Sequence, residues 1–288
     1  MNPAEANRVL DCSGLLLPLD RPRIMAVLNV SPDSFSDGGL WTDPERALRH
    51  AVDMVNEGAD IIDVGGESTR PGAEDVSTEQ ELHRVIPLIE RLAGQIEAPI
   101  SVDTSKPEVM REAVAAGAGM INDVYALRRE GAIEAAASLR VPVCLMHMQG
   151  EPRDMQKNPR YSDVVAAVRD FLAGRAQACR DAGIAADRIV VDPGFGFGKS
   201  LEHNLDLLRG LPELADLGYP VLAGLSRKSM LGTITGRGPG NRVAASVAAA
   251  LLAVQKGASI VRVHDVAETA DALKVLSATL EKSQQQNL

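Results

Sequence analysis

Ile24-Met25-Ala26-Val27-Leu28, followed at once by Asn29-Val30-Ser31-Pro32-Asp33, is the stretch that decides between two folds. Five apolar residues without polar alternation read as a strand buried on both faces, as in a parallel sheet covered by helices. An open, doubly wound nucleotide-binding sheet would place a GxGxxG turn after that strand. The residues here are of another kind, which removes the usual support for the open sheet.

The same pattern recurs to about residue 281. Short apolar runs follow at Asp60 to Val64, Pro99 to Val102, Gly119 to Asp123, Pro142 to Met146, Arg188 to Val191, Pro220 to Ala223 and Ala258 to Val263. Helical spacing fills much of the rest, at Pro44 to Glu57, Thr78 to Gln95, Pro107 to Ala116, Ser162 to Ala182 and Arg242 to Lys256. Thr42-Asp43-Pro44 and Lys106-Pro107-Glu108 put proline in a first helical turn, and Gly58, Gly117, Gly183 and Gly257 sit where helices should end. Eight successive strand–helix units with right-handed crossovers close most economically into an α/β (β/α)8 barrel. One domain is expected, residues 23–281, with residues 1–22 as a short cap segment under the barrel and 282–288 as a polar, disordered tail.

The 288 residues are 45% hydrophobic and 24% charged, an ordinary globular composition with a core large enough to need no disulfide or metal. A net charge of −9 argues against nucleic acid or an anionic membrane surface as a partner. Cys12, Cys144 and Cys179 are odd in number, widely spaced and without a CxxC pair, so they read as packing residues in a reducing compartment. Leu15 to Leu17 is too short for a signal segment and stops at Pro18, and no run approaches membrane-spanning length. A cytoplasmic location is the expectation.

Function is read from where each strand ends. The ends carry Asn29; Asp63 and Glu67; Asp103-Thr104-Ser105; Asn122-Asp123; His147; Asp192; Ser226-Arg227-Lys228-Ser229; and Arg262 with His264. All fall at the carboxyl end of a barrel, where active sites of this architecture lie. Singly, Asp63, Asp123 and Asp265 read more simply as turn formers or helix caps. As a set, eight polar strand ends point to a site. Arg70, Lys228, Arg262 and His264 supply positive charge against Asp103 and Asp192, which suits a substrate with one anionic and one donor-rich end. Ser229 opens a helix, where free N–H groups receive carboxylates or phosphates. The loops with Gly38-Gly39 and Gly65-Gly66 are suited to closing over a substrate.

Other motifs fail. In Gly194-Phe195-Gly196-Phe197-Gly198-Lys199-Ser200 the position that a phosphate-binding P-loop needs as glycine is Pro193. Its glycines are instead expected to let backbone and Phe197 approach a ligand. His50, His83 and His203 read as plain helix or surface residues, and no Cys/His zinc spacing is present.

The longer motifs, in order, are Leu28 to Gly39 (LNVSPDSFSDGG), Asp63 to Gly72 (DVGGESTRPG), Ser101 to Thr104, Ile121 to Val124, Met146 to Gly150, Asp192 to Lys199, Ser226 to Ser229 and Arg262 to Asp265. They resemble those of the dihydropteroate synthase family, TIM-barrel enzymes of folate biosynthesis, from about Ile24 to the last helix. The resemblance implies condensation of 6-hydroxymethyl-7,8-dihydropterin diphosphate with 4-aminobenzoate to give 7,8-dihydropteroate and diphosphate. By that likeness Asp103, Asn122, Met146, Asp192, Phe197, Gly224, Lys228 and Arg262 match the pterin site. Asn29, Thr69, Arg70, Arg262 and His264 match the diphosphate site, with Mg²⁺ held through Asn29. Thr69, Pro71, Phe197, Lys228 and Ser229 match the 4-aminobenzoate site, and Asp103, Asp33, Phe35 and Lys228 the catalytic positions. The family is usually dimeric and is inhibited by sulfonamides, which imitate 4-aminobenzoate.

Two other readings compete with this one. A methyltetrahydrofolate-dependent methyltransferase would share the pterin-reading Asp and Asn but would not need Arg70, Ser226 to Ser229 or the Arg262/His264 anion site. A non-catalytic pterin-binding relative would be expected to lack Asp103, Lys228 or Arg262, and all three are present.

Overall fold

The computed structural model describes residues 8–30, 44–68, 76–152 and 154–284, with side chains of the last helix to residue 279. A hairpin comes first, β1 (Val9–Cys12) and β2 (Leu15–Pro18). Then strands β3 (Arg23–Asn29), β4 (Ile61–Gly65), β5 (Ile100–Asp103), β6 (Met120–Asp123), β7 (Val143–Met146), β8 (Ile189–Asp192), β9 (Val221–Ala223) and β10 (Ala258–Val263) alternate with helices. The helices are α1 (Pro44–Glu57), α2 (Thr78–Ala93), α3 (Pro107–Ala115), α4 (Ala132–Leu139), α5 (Val164–Asp181), α6 (Leu201–Arg209), α7 (Leu211–Ala215), α8 (Ser229–Thr235), α9 (Val243–Gln255) and α10 (Val266–Gln284).

β3 to β10 pair in sequence order and β10 returns to β3, closing a barrel of eight parallel strands. Gly58, Gly117, Gly183 and Gly257 all have positive φ just past a helix, a conformation that L side chains avoid. α10 extends to Gln284, into the stretch expected as a tail.

The alternation hidden in the apolar runs is the alternation of the barrel wall. Met25, Ile61, Met120, Cys144, Val190, Leu222 and Ile260 cluster inside the barrel with Leu10, Cys12, Leu17 and Leu19 of the hairpin segment. The intervening Ile24, Ala26, Leu28, Ile62, Val64, Val102 and Ile121 pack outward under the helices. The hairpin seals the amino-terminal end of the barrel. Gly119 permits this, since a methyl group there would meet the Cys12 carbonyl oxygen at 2.6 Å. All three cysteines are buried and free, as packing residues should be.

Candidate active site

Two residues beyond the inner apolar layer, the same face of most strands changes character, to polar side chains on four of them and to Met146 and Gly224 on two. Ile61 leads to Asp63, Met120 to Asn122, Cys144 to Met146, Val190 to Asp192, Leu222 to Gly224 and Ile260 to Arg262. A period of two aims each member of the second set into the barrel mouth. Register aligns the neighbours: Asn29 lies opposite Gly65, Gly65 opposite Asp103 and Asp103 opposite Asn122.

The result is a cleft at the barrel mouth, open to solvent. All eight residues matched to the pterin site, Asp103, Asn122, Met146, Asp192, Phe197, Gly224, Lys228 and Arg262, line it together with His264. Val124, which ends one of the motifs but was matched to no site, lines it too. Asn29 and Ser229 are not among its lining residues; Asn29 ends β3 and Ser229 opens α8, exposed beside Lys228. Asp33, Phe35, Thr69, Arg70 and Pro71 lie outside the described residues, as do Gly38 and Gly39.

The floor of the cleft is a charge network. The Arg262 guanidinium donates from Nε to Asp63 Oδ2 (2.6 Å) and from an Nη to Asp103 Oδ2 (2.9 Å), while Asn122 Nδ2 donates to Asp63 Oδ2 (3.1 Å). Burial alone would favour a neutral Arg262, but Asp63 and Asp103 override it and the guanidinium stays charged. For Asp103, burial prevails over the pull of Arg262, and with Asp63 nearby the carboxyl is pushed up to about 8. Asp63 is therefore no turn former. It is fully buried, and it fixes both Arg262 and Asn122 from below. The signal was available, because Asp63 falls between the inward Ile61 and Gly65. Asp123 has the opposite parity and accepts from Tyr125 N and Leu127 N, the turn role expected of it. Asp265 is more than a cap: it pairs with Arg227 at 2.6 Å.

At β8, the Gly194 N–H donates to Asp192 Oδ1 at 2.7 Å. Burial raises the Asp192 pKa, opposed by that N–H and by Lys228 and Arg262. The glycines of this loop have a packing job as well as the one expected. A side chain at Gly194 would run into the His147 carbonyl, and one at Gly198 into the Gln149 carbonyl. They let the loop press on the backbone after β7, and Gly194 joins the cleft wall as a consequence. His147, a member of the polar strand ends, faces away from the cleft; it is buried against Phe171 and Lys199. His203 serves a capping box at the start of α6 rather than lying free on the surface.

Lys228 is delivered by a braced turn after β9. Arg227 adopts φ +57°, costly for a residue with a Cβ, and is held by Asp265 and by Ser246 Oγ on its N–H (2.9 Å). Arg242 donates to the Arg227 carbonyl at 3.0 Å. The Lys228 ammonium then lies 4.2 Å from the centre of the Phe197 ring. In the same turn Ser226 Oγ lies 3.0 Å from Nδ1 of His264, which follows the neighbouring β10. At Gly224 an added methyl would meet nothing nearer than Arg262 Cβ at 3.9 Å. Neither packing nor backbone requires that glycine, so its bareness serves what enters the cleft.

The family profile described as pterin binding enzyme matches residues 25–264. The dihydropteroate synthase of Escherichia coli (strain K12) is 52% identical over 271 residues, covering 94% of this chain and 96% of that protein. The chain belongs to the dihydropteroate synthase family of pterin-binding enzymes. Among solved members of the family, Xanthomonas albilineans dihydropteroate synthase with 4-aminobenzoic acid superposes with a TM-score of 0.90 at 60% identity, covering 95% of this chain and 98% of that one. The same organism's enzyme in complex with 7,8-dihydropteroate gives 0.86 at 57% identity, covering 94% and 98%.

Proposed function

We propose that this protein is a dihydropteroate synthase, a transferase joining 6-hydroxymethyl-7,8-dihydropterin diphosphate to 4-aminobenzoate with release of diphosphate. The observation that carries this reading is convergence: side chains from β5, β6, β7, β8, β10 and the turn after β9 line one cleft.

A pterin edge presents an amino group and a ring N–H side by side, and the Asp192 carboxylate is an acceptor for that pair, with Asn122 offering a donor and an acceptor beside it. Lys228 donates to the ring's carbonyl and nitrogen. Arg262, flat and anchored by Asp63 and Asp103, stacks on the ring and faces the diphosphate with His264. Met146 and Phe197 cover the ring's faces. As the bond between the methylene carbon and diphosphate breaks, positive charge spreads into the pterin, and ionised Asp103 stabilises it in a site of low dielectric. The amine of 4-aminobenzoate then attacks the methylene carbon through its nitrogen lone pair and loses a proton. Its carboxylate rests at Ser229, and Thr69, Arg70 and Pro71, with Asp33 and Phe35, complete the pocket and the catalytic set.

The described residues contain no group of three or more His, Cys, Asp or Glu that could hold a metal. Asn29 supplies one hard amide oxygen, held at the mouth beside Gly65, where an added methyl would crowd its Oδ1 at 3.1 Å. A single neutral oxygen fits Mg²⁺ that arrives on the substrate's phosphates and keeps its waters. When bound, the ion neutralises charge on the departing diphosphate. The working assembly is a homodimer of the cytoplasm, and sulfonamides compete for the 4-aminobenzoate pocket.

Incubating the purified chain with both substrates and Mg²⁺ is expected to yield 7,8-dihydropteroate and diphosphate, with sulfonamide inhibition relieved by excess 4-aminobenzoate. Methyl transfer without diphosphate release, or binding without turnover, would replace this reading by one of the two alternatives.

A further inference from the structure

Lys199, the last residue of the failed P-loop motif, is only 3% exposed and is not among the residues lining the cleft. Buried lysines normally face a carboxylate. The hydrogen-bond partners of this one are all neutral: the Gly194 carbonyl at 2.8 Å, the Phe197 carbonyl at 3.0 Å, the His147 carbonyl at 3.3 Å and His147 Nδ1 at 2.9 Å. Burial lowers its pKa to about 7, with Lys228 also lowering it and Asp192 opposing, and burial with the Lys199 charge lowers that of His147 to about 3. Placing a cation here is costly, and a satisfied apolar side chain would fill the same space at less cost.

Those contacts join two segments. His147 follows β7, whereas Gly194 and Phe197 belong to the loop after β8 that forms one wall of the cleft. Asn204 of α6 holds the same loop from outside, accepting from Gly196 N at 2.7 Å, and Tyr161 donates to the Gly198 carbonyl at 2.9 Å. Lys199 is the internal tie, and it bonds the carbonyl of Phe197, the residue whose ring meets Lys228.

We propose that Lys199 is a positioning residue for the condensation: its Nζ donors tie the Gly194 and Phe197 carbonyls to the end of β7 and so hold the Phe197 ring in the substrate site. This rests on the reading of the cleft as the pterin and 4-aminobenzoate site. Because Phe197 covers substrate before and during reaction, loss of the tie should weaken binding of both states alike and appear in KM more than in kcat.

The test is Lys199→Met, which keeps length and removes the donors, measured alone and combined with Phe197→Ala. Lys199→Met is expected to raise the KM for 4-aminobenzoate about tenfold with kcat within about threefold, and to add less than about twofold once Phe197 is already alanine. A lower melting temperature with unchanged KM would reduce Lys199 to a packing residue and overturn the proposal, as would full additivity with Phe197→Ala. Should Lys199→Met not fold, His147→Gln displaces the Nδ1 partner while leaving the lysine in place, and is expected to raise the same KM about threefold with the same non-additivity. An unchanged KM there overturns the proposal too. A wild-type chain that binds neither substrate would sink the cleft assignment, and the positioning role with it, whereas wild-type turnover beside an unaffected variant would sink the positioning role alone.

Discussion

Asp63 and Asp103 share one guanidinium, so two carboxylates at the mouth of the barrel lean on a single direct cation. Asp103 bears the consequence, its carboxyl raised from 3.8 to about 8, with burial the largest cause. The proposed reaction needs it ionised, so kcat/KM should fall as pH drops through about 8, and Asp103→Asn should abolish that limb together with most of the activity. Stability runs the other way. The folded chain holds this proton more tightly than the unfolded chain does, so the stability it contributes is complete below about pH 4 and is lost as pH rises through about 8. Melting curves should therefore show the advantage of Asp103→Asn over the wild type growing from about pH 5 to about pH 9. A constant difference would mean that Asp103 titrates normally. Gly224 gives a sharper steric test. A Cβ there meets no protein atom nearer than 3.9 Å, so Gly224→Ala should fold with a near-normal melting temperature yet lose pterin binding by more than about tenfold. Most of these residues were legible in the sequence as polar strand ends. Asp63 was misread because an aspartate after a strand is commonly a turn former, and only its inward parity marks it otherwise. His147 was misread for the converse reason, since its parity points it away from the cleft.

Helices and strands were legible where the pattern is local. α1 has the bounds expected of it, and the barrel strands fall within a residue or two of their apolar runs. What local pattern does not carry is contact between distant segments. The hairpin β1–β2 has only four residues per strand, and its meaning comes from the barrel end it closes. The short α7 is additional to the one helix expected per strand, being five residues long with little room for periodicity to accumulate. The division of labour between the two barrel ends predicts a clean separation of effects. Leu10 is 1% exposed within the plug, so Leu10→Ala should cost about 2–4 kcal/mol in urea unfolding, from lost burial and the cavity left behind. The KM values for both substrates should be unchanged, because the plug and the cleft sit at opposite ends of the strands. A Leu10→Ala chain with normal stability would show that the hairpin is an appendage rather than part of the core.

At the scale of the whole barrel the ring of strands is not uniform. β3 and β4 share five register pairs, β4 and β5 four, whereas β8 and β9 share one, Val191 with Val221. Few backbone hydrogen bonds cross that seam, so local opening should begin there before it reaches the opposite side. The seam also lies under the proposed pterin site: Asp192 ends β8, Lys228 follows β9, and Arg262 comes from β10 beyond it. A ligand gripped by all three joins the two sides and binds the closed barrel in preference to the opened one, adding about 2.7 kcal/mol of stability at one hundred times its dissociation constant. Amide hydrogen exchange should accordingly show Val221 to Ala223 exchanging faster than Ile61 to Val64 in the free protein, and dihydropteroate should slow the former by about a hundredfold while leaving the latter little changed. Equal protection of every strand, or slowing confined to the loops, would mean that closure is complete without ligand and that the site acts on a barrel already rigid at its thinnest pairing.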